Sequence, residues 1–213
     1  MKEPRTGYRE VGDLRKLYAE RKDAILRRLD DFAAVPAAEY FYELVYCLLT
    51  PQSSAVNAAQ AVEALRAADL YGSEIEPVTV LQRQSAYIRF HNTKAARLKE
   101  VKRIYPEIQA ALADGMDARS LRLWLVGNVD GLGWKESSHF LRNIGRRNLA
   151  ILDRHILKNL RRHRIIRALP TTLTPKRYLA IERRFARFAE RIGITMDELD
   201  LLFWSRETGE ILK

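Results

Sequence analysis

Lys135 is the residue whose type and setting most directly suggest chemistry. It lies in the stretch GLGWKESSHFLRN, residues 131–143, just after a Gly-x-Gly pair and at the start of a predicted helix. A lysine in such a place can bind a phosphate as an ammonium, or attack an electrophilic carbon when its amine is neutral. The residue itself leaves both uses open.

A carboxylate follows Lys135 at the start of the next predicted helix. Asp153 stands in NLAILDRHILKNL, after the apolar run LAIL. An aspartate in this position can cap the helix by accepting backbone N–H bonds, which contributes about 1 kcal/mol. It can also stabilise positive charge that develops in a transition state. The two roles are compatible.

Gly131 and Gly133 predict a tight turn in front of the lysine. Glycine permits close backbone approach, and the positive end of the following helix attracts anions. The helix RSLRLWLVGN before the turn and the helix from Trp134 after it predict a helix-hairpin-helix over about residues 118–145, with Leu132 anchoring the turn. Such a hairpin suits the phosphate backbone of DNA, and an ordinary connection between helices is the alternative.

The helix that carries Lys135 has one polar face at helical spacing. His139 and Arg142 are the candidates on it for contact with DNA, although the face is equally explained as a solvated surface. The residues of this face are Lys135, His139, Arg142 and Arg146. The residues predicted to face inward are Trp134, Ser137, Ser138, Leu141 and Ile144.

Composition fits a globular protein with a polyanionic partner. The 213 residues carry 37 Lys+Arg against 27 Asp+Glu, a net charge of +10, which favours nucleic acid first and an anionic membrane second. Cys47 is the only cysteine, so neither an internal disulfide nor a multi-cysteine metal site can form. The sequence shows neither a signal-peptide pattern nor an apolar run long enough to span a bilayer, which predicts an intracellular protein of the cytoplasm or nucleoid.

Helical periodicity recurs along the chain and strand alternation is hard to find, which predicts an all-α fold. Two helices have strong start signals: Thr174 before Pro175, with Gly193 as the stop, and a capping box of Thr195 and Glu198. The other predicted helices cover about 13–29, 37–50, from Ser53 or Ser54 to 65, 94–104, 117–126, 134–144 and 154–162. Two arginine runs, RRHRIIR at 161–167 and RRFARFAER at 183–191, either contact phosphates or form solvated faces.

A lysine at the mouth of a hairpin, with an aspartate at the next helix start, resembles the helix-hairpin-helix DNA glycosylase superfamily, in its bifunctional glycosylase/lyase branch. The blocks GLGWKESSHFLRN, LAILDRHIL and the ending LLFWSRETGEILK are similar to the compact archaeal-type 8-oxoguanine DNA glycosylase/lyases. The segment LLTPQSSAVNAAQAVEAL, residues 48–65, adds to the resemblance. It implies one glycosylase unit over residues 1–213, with two helical subdomains and the active site in the cleft between them.

The resemblance also implies a mechanism. The enzyme would rotate the damaged nucleotide out of the duplex, with Gln52 filling the space left behind. Lys135 would attack the sugar as a neutral amine, expel the base and form a Schiff base that permits β-elimination. Burial and the positive helix end favour the neutral amine, whereas Asp153 favours the ammonium, so Asp153 is assigned to stabilising charge on the sugar.

Base recognition is assigned to three residues. The resemblance implies that Lys213, at the C-terminus, takes part, because a chain end offers an ammonium and a carboxylate; the carboxylate suits the N–H that distinguishes 8-oxoguanine from guanine. Trp204 and Phe90 would stack on the extruded base. Without the resemblance, Lys213 is a frayed end and Trp204 is a core residue beside Phe203.

The remaining expectations concern partners and alternatives. The partner is double-stranded DNA containing 8-oxoguanine, with no membrane, and the protein is expected to be a monomer. No cofactor and no metal site among the side chains are expected, although hairpin carbonyls in this superfamily can hold a monovalent cation. A sibling enzyme for another damaged base and a non-enzymatic hairpin module that binds DNA remain the alternatives.

Overall fold

The predicted all-α class is confirmed by the structure, a computed structural model that describes residue 8 and residues 10–211. Over these residues the chain forms ten α-helices and two short 3-10 turns, and no β-strand. The helices are α1 Val11–Ala33, α2 Tyr40–Leu49, α3 Ala55–Ala67, α4 Val78–Leu81, α5 His91–Ala113, α6 Ala118–Asn128, α7 Trp134–Asn143, α8 Arg154–Arg162, α9 Pro175–Ile192 and α10 Met196–Thr208. The 3-10 turns are Ala37–Glu39 and Gln84–Ala86.

The chain divides into two compact units. The first unit contains the described residues up to Ala34 together with those from Gly145 onward, and so holds α1, α8, α9 and α10. The second unit is Val35–Ile144 and holds α2 to α7. Lys135 therefore belongs to the second unit and Asp153 to the first.

The core of the first unit forms where α10 packs against α1, α8 and α9. Phe185, Phe188 and Phe203 are fully buried there, and the rings of Phe185 and Phe203 stack with centroids 5.9 Å apart. Aromatic side chains of this size supply much of the apolar area that stabilises a small core. This core supports the first turns of α8 and α10.

The core of the second unit is built around α2, which contacts α3, α5 and α7. This helix is apolar on nearly every side, and Leu44, Val45, Cys47 and Leu49 are completely buried. A short helix that is apolar all round is stable only when other helices cover it. The thiol of Cys47, the only cysteine in the sequence, thus lies inside this core.

Most helix ends lie where local signals place them. Helix α9 begins at Pro175 after the N-cap Thr174 and ends at Gly193, whose φ of 71° is the left-handed conformation expected of a C-cap. Thr195 and Glu198 form the predicted capping box of α10.

Helix α5 departs most from the prediction. It runs from His91 to Ala113 and contains Pro106, whereas the sequence pattern predicted only 94–104. Proline lacks an N–H and usually ends or kinks a helix. Here buried residues on both sides of Pro106, such as Val101 and Ile108, hold the helix against the core through the break. The short helix α4 was not predicted because four residues give no periodic signal.

Among the described residues, no single helix is long and apolar enough to cross a membrane; α1 and the segment Ala37–Leu49 pass that test only when taken together as one bent span.

The capping box of α10 should be measurable as stability. Replacing Thr195 with alanine removes the oxygen that accepts the backbone N–H of Glu198, so we expect the free energy of unfolding to fall by about 1 kcal/mol. Urea denaturation followed by circular dichroism gives this value. Thr171→Ala, at an exposed position that caps no helix, is the matched control and should change stability by less than about 0.5 kcal/mol. Equal losses in the two variants would contradict the assignment.

Candidate active site

The hairpin between α6 and α7 forms the tight turn predicted from its glycines. Gly131 has a φ of 88°, and a Cβ added to it would lie 2.7 Å from Cδ of Arg97. Leu132 is buried as the predicted anchor, and its N–H donates to the carbonyl of Val129. Arg97 also pairs with Asp130 at 3.1 Å, which ties the hairpin to α5. Glycine suits position 131 because other residues rarely adopt this backbone conformation, and a Cβ there would require the side chain of Arg97 to shift.

The start of α7 has the properties of an anion site. Gly133 is the N-cap and provides no side chain to accept the first N–H groups of the helix. Those N–H groups and the positive end of the helix attract negative charge, and a phosphate is a common occupant of such a place. The hairpin can therefore hold one phosphate of a nucleic-acid backbone.

Lys135 lies in the first turn of α7 with 29% of its side chain exposed. Its Nζ forms an ion pair with Oε1 of Glu136 at 3.2 Å. Sequence reasoning missed this neighbour because adjacent residues on a helix do not usually face each other. The pair keeps the amine near the hairpin, and a partly exposed amine there can reach a bound substrate.

The predicted polar face of α7 is wrong at Arg142. Its side chain is buried, 5% exposed, and its Nη2 donates to Oδ1 of Asn143 at 3.2 Å. The same Asn143 donates to Glu43 on α2, so these polar groups form a buried network that holds α7 against α2. A guanidinium in this position is not available to a phosphate. His139 is half-buried and meets the ring of Tyr46 edge-on, with centroids 5.8 Å apart.

Asp153 forms the predicted helix cap and one contact that was not predicted. It is the N-cap of α8, and its Oδ1 accepts the backbone N–H of Ile156 at 2.8 Å. Its Oδ2 accepts the indole N–H of Trp204 on α10, also at 2.8 Å. Each oxygen of this half-buried carboxylate therefore has its own donor, which fixes the direction of the group.

Trp204 is half-buried rather than a core residue. Its ring lies beside His155, with centroids 5.2 Å apart, and its N–H is used by Asp153. The structure thus joins a residue predicted for base recognition directly to one predicted for catalysis. Sequence reasoning named both but gave no signal for their contact, because they lie on different helices.

Gln52 and Phe90 occupy two exposed turns of the second unit. Both have left-handed backbone, with φ values of 57° and 60°, which is uncommon for residues other than glycine. Half of Phe90 is exposed, and the guanidinium of Arg89 lies 5.1 Å from the centre of its ring. Unusual backbone of this kind often occurs at functional sites.

Lys94 is a further charged group of the second unit that sequence reasoning missed. Only 3% exposed, it donates from Nζ to the carbonyls of Leu49 and Pro51, each at 2.7 Å. Burial lowers the pKa of Lys94 to about 8, and the positive charges of Arg97 and Lys135 act in the same direction. The helical pattern of the sequence around Lys94 does not predict that its side chain is buried.

Two further predictions concern a metal ion and the recognition role of Lys213. Among the described residues no group of three or more His, Cys, Asp or Glu side chains is placed to hold a metal ion. The hairpin offers neutral backbone carbonyls, a donor type that suits a hard cation, so the monovalent cation stays a prediction. Lys213 lies outside the described residues, and its role in recognition also stays a prediction.

Comparison with known proteins gives one consistent family. The Ogg-HhH model, described as 8-oxoguanine DNA glycosylase, matches residues 25–194. The 8-oxoguanine DNA glycosylase/AP lyase of Fusobacterium nucleatum is 38% identical over 212 residues, covering 94% of this chain and 96% of that protein. The protein of the same name from Korarchaeum cryptofilum is 38% identical over 205 residues, covering 95% and 97%.

A solved structure extends the similarity to three dimensions. The Methanocaldococcus jannaschii 8-oxoguanine glycosylase/lyase, crystallised in complex with a 15mer DNA containing 8-oxoguanine, aligns with a TM-score of 0.86 and 30% identity. The alignment covers 95% of this chain and 99% of that one.

The bond between Asp153 and Trp204 should be detectable by a double-mutant cycle. Trp204→Phe keeps an aromatic ring but removes the N–H, and a hydrogen bond to a charged group is worth about 1.5–3 kcal/mol. We expect Trp204→Phe to lower the free energy of unfolding in wild type by clearly more than in Asp153→Ala, with urea denaturation as the measurement. Trp124→Phe, on α6, is the control and should show no coupling to Asp153. Additive effects of Trp204→Phe and Asp153→Ala would refute the bond.

Proposed function

Since this chain belongs to the helix-hairpin-helix family of 8-oxoguanine DNA glycosylases, we propose that it excises 8-oxoguanine from DNA and cleaves the strand at the abasic site that results. The observation that carries the proposal is the similarity over nearly the full length to proteins named 8-oxoguanine DNA glycosylase/AP lyase. The hairpin, with a lysine in the first turn after it, supports the same conclusion from this chain alone.

Lys135 is the proposed nucleophile. Its neutral amine attacks the anomeric carbon of the extruded nucleotide, the bond to the base breaks, and the base leaves with a proton. The nitrogen then loses a further proton while the bond between the anomeric carbon and the ring oxygen breaks and that oxygen takes up a proton, which opens the sugar ring and gives an imine. The imine permits removal of the neighbouring sugar proton and breakage of the bond to the 3′ phosphate. The ion pair with Glu136 must open before the attack, and that carboxylate can then accept a proton from the ammonium.

Asp153 is the proposed electrostatic partner. The sugar gains positive charge as the bond to the base breaks, and a carboxylate aimed in advance lowers the free energy of that state. The two hydrogen bonds to Asp153 supply this orientation without movement during the reaction. Its cap of α8 is retained throughout, so the structural and chemical roles do not compete.

Base recognition and DNA binding are assigned as follows. Trp204 and Phe90 stack on the extruded base, and Lys213 discriminates the oxidised base from guanine. Gln52 enters the space that the nucleotide leaves, while Gly131 and Gly133 let the hairpin backbone approach a phosphate. His139 contributes at the rim of the hairpin. The protein acts as a monomer, without a cofactor, on double-stranded DNA in the cytoplasm or nucleoid.

Borohydride trapping tests the proposal. On a duplex with one 8-oxoguanine we expect wild type to form a covalent adduct, because borohydride reduces an imine to a stable amine. Lys135→Ala should form none, and Asp153→Asn should form it more slowly by about 10²–10³-fold if orientated charge supplies the catalysis. The adduct is measured by denaturing gel electrophoresis against time.

Two controls make the test specific. Lys16→Ala, an exposed lysine on α1, should trap as wild type does. An undamaged duplex should give no adduct. An adduct only on a duplex with a different damaged base would identify a sibling enzyme, and salt-sensitive binding without adduct or released base would leave a DNA-binding module.

A further inference from the structure

A groove in the first unit is edged by positive charge that the proposed chemistry does not use. It lies between the segment that follows α8 and one face of α9, and its floor includes the buried side chains of Ile165, Ile166 and Ile181. The cations that line it are Arg164, Arg167, Lys176, Arg177, Arg184 and Arg187, all exposed. None of the described residues that line this groove is acidic.

The charges on α9 are arranged in a line. Arg177, Arg184, Arg187 and Arg191 recur at spacings that place them on one face of the helix, with Ala180 between the first two. At 1.5 Å per residue the line is about 21 Å long. A line of this length fits an extended polyanion better than a single small anion.

Four of the arginines that line the groove have no acidic partner among the described residues. Arg162, just outside the groove, pairs with Glu10. By contrast, among the described residues Arg164, Arg167, Arg184 and Arg187 form no ion pair. Like charges brought together without compensation repel one another, so such a cluster is stabilised when a polyanion binds.

We propose that this groove binds the sugar-phosphate backbone of duplex DNA, at a place separate from the damaged nucleotide. The segment around Arg164 and the face of α9 form two cationic edges, and the backbone lies between them. Within the first unit this groove begins at the C-terminal end of α8, whereas Asp153 caps its N-terminal end. The nine residues of α8 separate the two by about 14 Å, so one unit offers two distinct contacts to DNA.

DNA is favoured over an acidic polypeptide by the geometry of the charges. Phosphates repeat at short, regular intervals along a backbone, and each can meet an arginine with two hydrogen bonds. The cations of the groove continue beyond its ends, to Arg191 on one side and Arg161 on the other, further than a short peptide segment would need. Contacts of this kind read no sequence and add to affinity for any duplex.

The test compares binding of an undamaged duplex to wild type and to the double variant Arg184→Gln plus Arg187→Gln. Removing one arginine that neutralises a phosphate should reduce the slope of log affinity against log salt concentration by about 0.9, so we expect the slope to fall by about 2 in the double variant. Fluorescence anisotropy at four or more salt concentrations gives the slope. The single-turnover rate of excision at saturating damaged duplex should be unchanged.

The control variant Lys16→Gln plus Arg27→Gln removes the same net charge from exposed positions of α1, outside the groove. Its slope should stay within experimental error of wild type. An equal reduction in both variants would show a general charge effect and overturn the proposal. So would unchanged DNA binding together with weakened binding to poly-glutamate, which would make an acidic polypeptide the occupant. The binding measurements do not depend on the chemistry of Lys135, because the duplex used for them is undamaged.

A separate observation concerns Lys94 and the two turns with left-handed backbone. The three N–H donors of its ammonium are matched by three oxygens: the carbonyls of Leu49 and Pro51 and, at 3.2 Å, Oγ of Ser53. The carbonyl of Leu49 lies at the end of α2, where helix carbonyls lack partners and a cation is favourable. The ammonium thus fixes the turn that carries Gln52.

The same network reaches the turn that carries Phe90. Oγ of Ser53 also accepts the backbone N–H of Arg89 at 3.1 Å. A second tie joins the same two segments, because Nδ2 of Asn57 donates to the carbonyl of Tyr87 at 3.0 Å. The two turns are therefore held in one register by contacts that all lie within the second unit.

We infer that Lys94 is a positioning residue for extrusion of the damaged nucleotide, an inference that rests on the proposed function. Gln52 must enter the duplex while Phe90 meets the base that leaves it, so their separation has to match the DNA. The buried ammonium sets that separation from beneath both turns. It does not touch the sugar or the base.

The variant Lys94→Met should separate extrusion from chemistry. We expect single-turnover excision of 8-oxoguanine to slow by about 10- to 100-fold, the size of effect that misplacement by about 1 Å produces. Borohydride trapping on a duplex with a preformed abasic site should stay within about twofold of wild type, because no base has to be extruded there. Lys99→Met, an exposed lysine on the same helix, is the control and should leave both rates unchanged.

A pH series on wild type gives a second measurement that does not depend on how the variant folds. Above a pH of about 8 the ammonium of Lys94 loses a proton and therefore one of its three N–H donors. The ratio of the excision rate to the rate of abasic-site trapping should then fall as pH rises. Arg97 and Lys135 are the charged groups that act on Lys94. Excision and abasic-site trapping both use Lys135, so their shared requirement for this residue drops out of the ratio of their rates. Equal losses of both reactions in Lys94→Met, or a ratio independent of pH, would overturn the inference; no trapping by wild type on either duplex would instead refute the proposed function.

Discussion

The carboxylate of Asp153 is held at two points, and the proposed chemistry depends on that arrangement. One oxygen accepts the N–H of Ile156 at the start of α8, and the other accepts the indole N–H of Trp204 on α10. Orientation before the reaction is what gives a charged group its effect on a transition state. The packing of α8 against α10 therefore supports the proposed chemistry as well as the core.

Three of the side chains proposed to act on DNA lie at the starts of helices. Lys135 lies in the first turn of α7, Asp153 precedes α8, and Phe90 precedes α5. Helix ends leave backbone groups without partners and expose them to ligands, whereas the middle of each helix has to fill the core. The short connections between helices therefore position these three side chains.

Sequence reasoning succeeded where the signal is local. The hairpin glycines, the start of α9 at Pro175 and the capping box of Thr195 with Glu198 each depend on a few neighbouring residues, and all are present. Comparison with known proteins then confirmed the family that the sequence blocks resemble. Residues 135 and 153 were selected by the same local logic, since each stands at a helix start.

The parts that could not be predicted depend on residues far apart in sequence. The bond between Trp204 and Asp153 crosses two helices, and the burial of Lys94 depends on where the end of α2 lies. Arg142 was expected at the surface because arginine usually is, yet Asn143 supplies an acceptor that permits its burial. Pairings of this kind become visible only when the packing is known.

The left-handed backbone at Gln52 and Phe90 has a consequence for how this protein can be changed. A residue with a Cβ in that conformation costs roughly 1–2 kcal/mol, whereas glycine adopts it freely. Glycine at either position would thus make the fold more stable while deleting the side chain proposed to meet DNA. Stability and activity are opposed at these two positions, so a screen for heat resistance alone would tend to select against the enzyme.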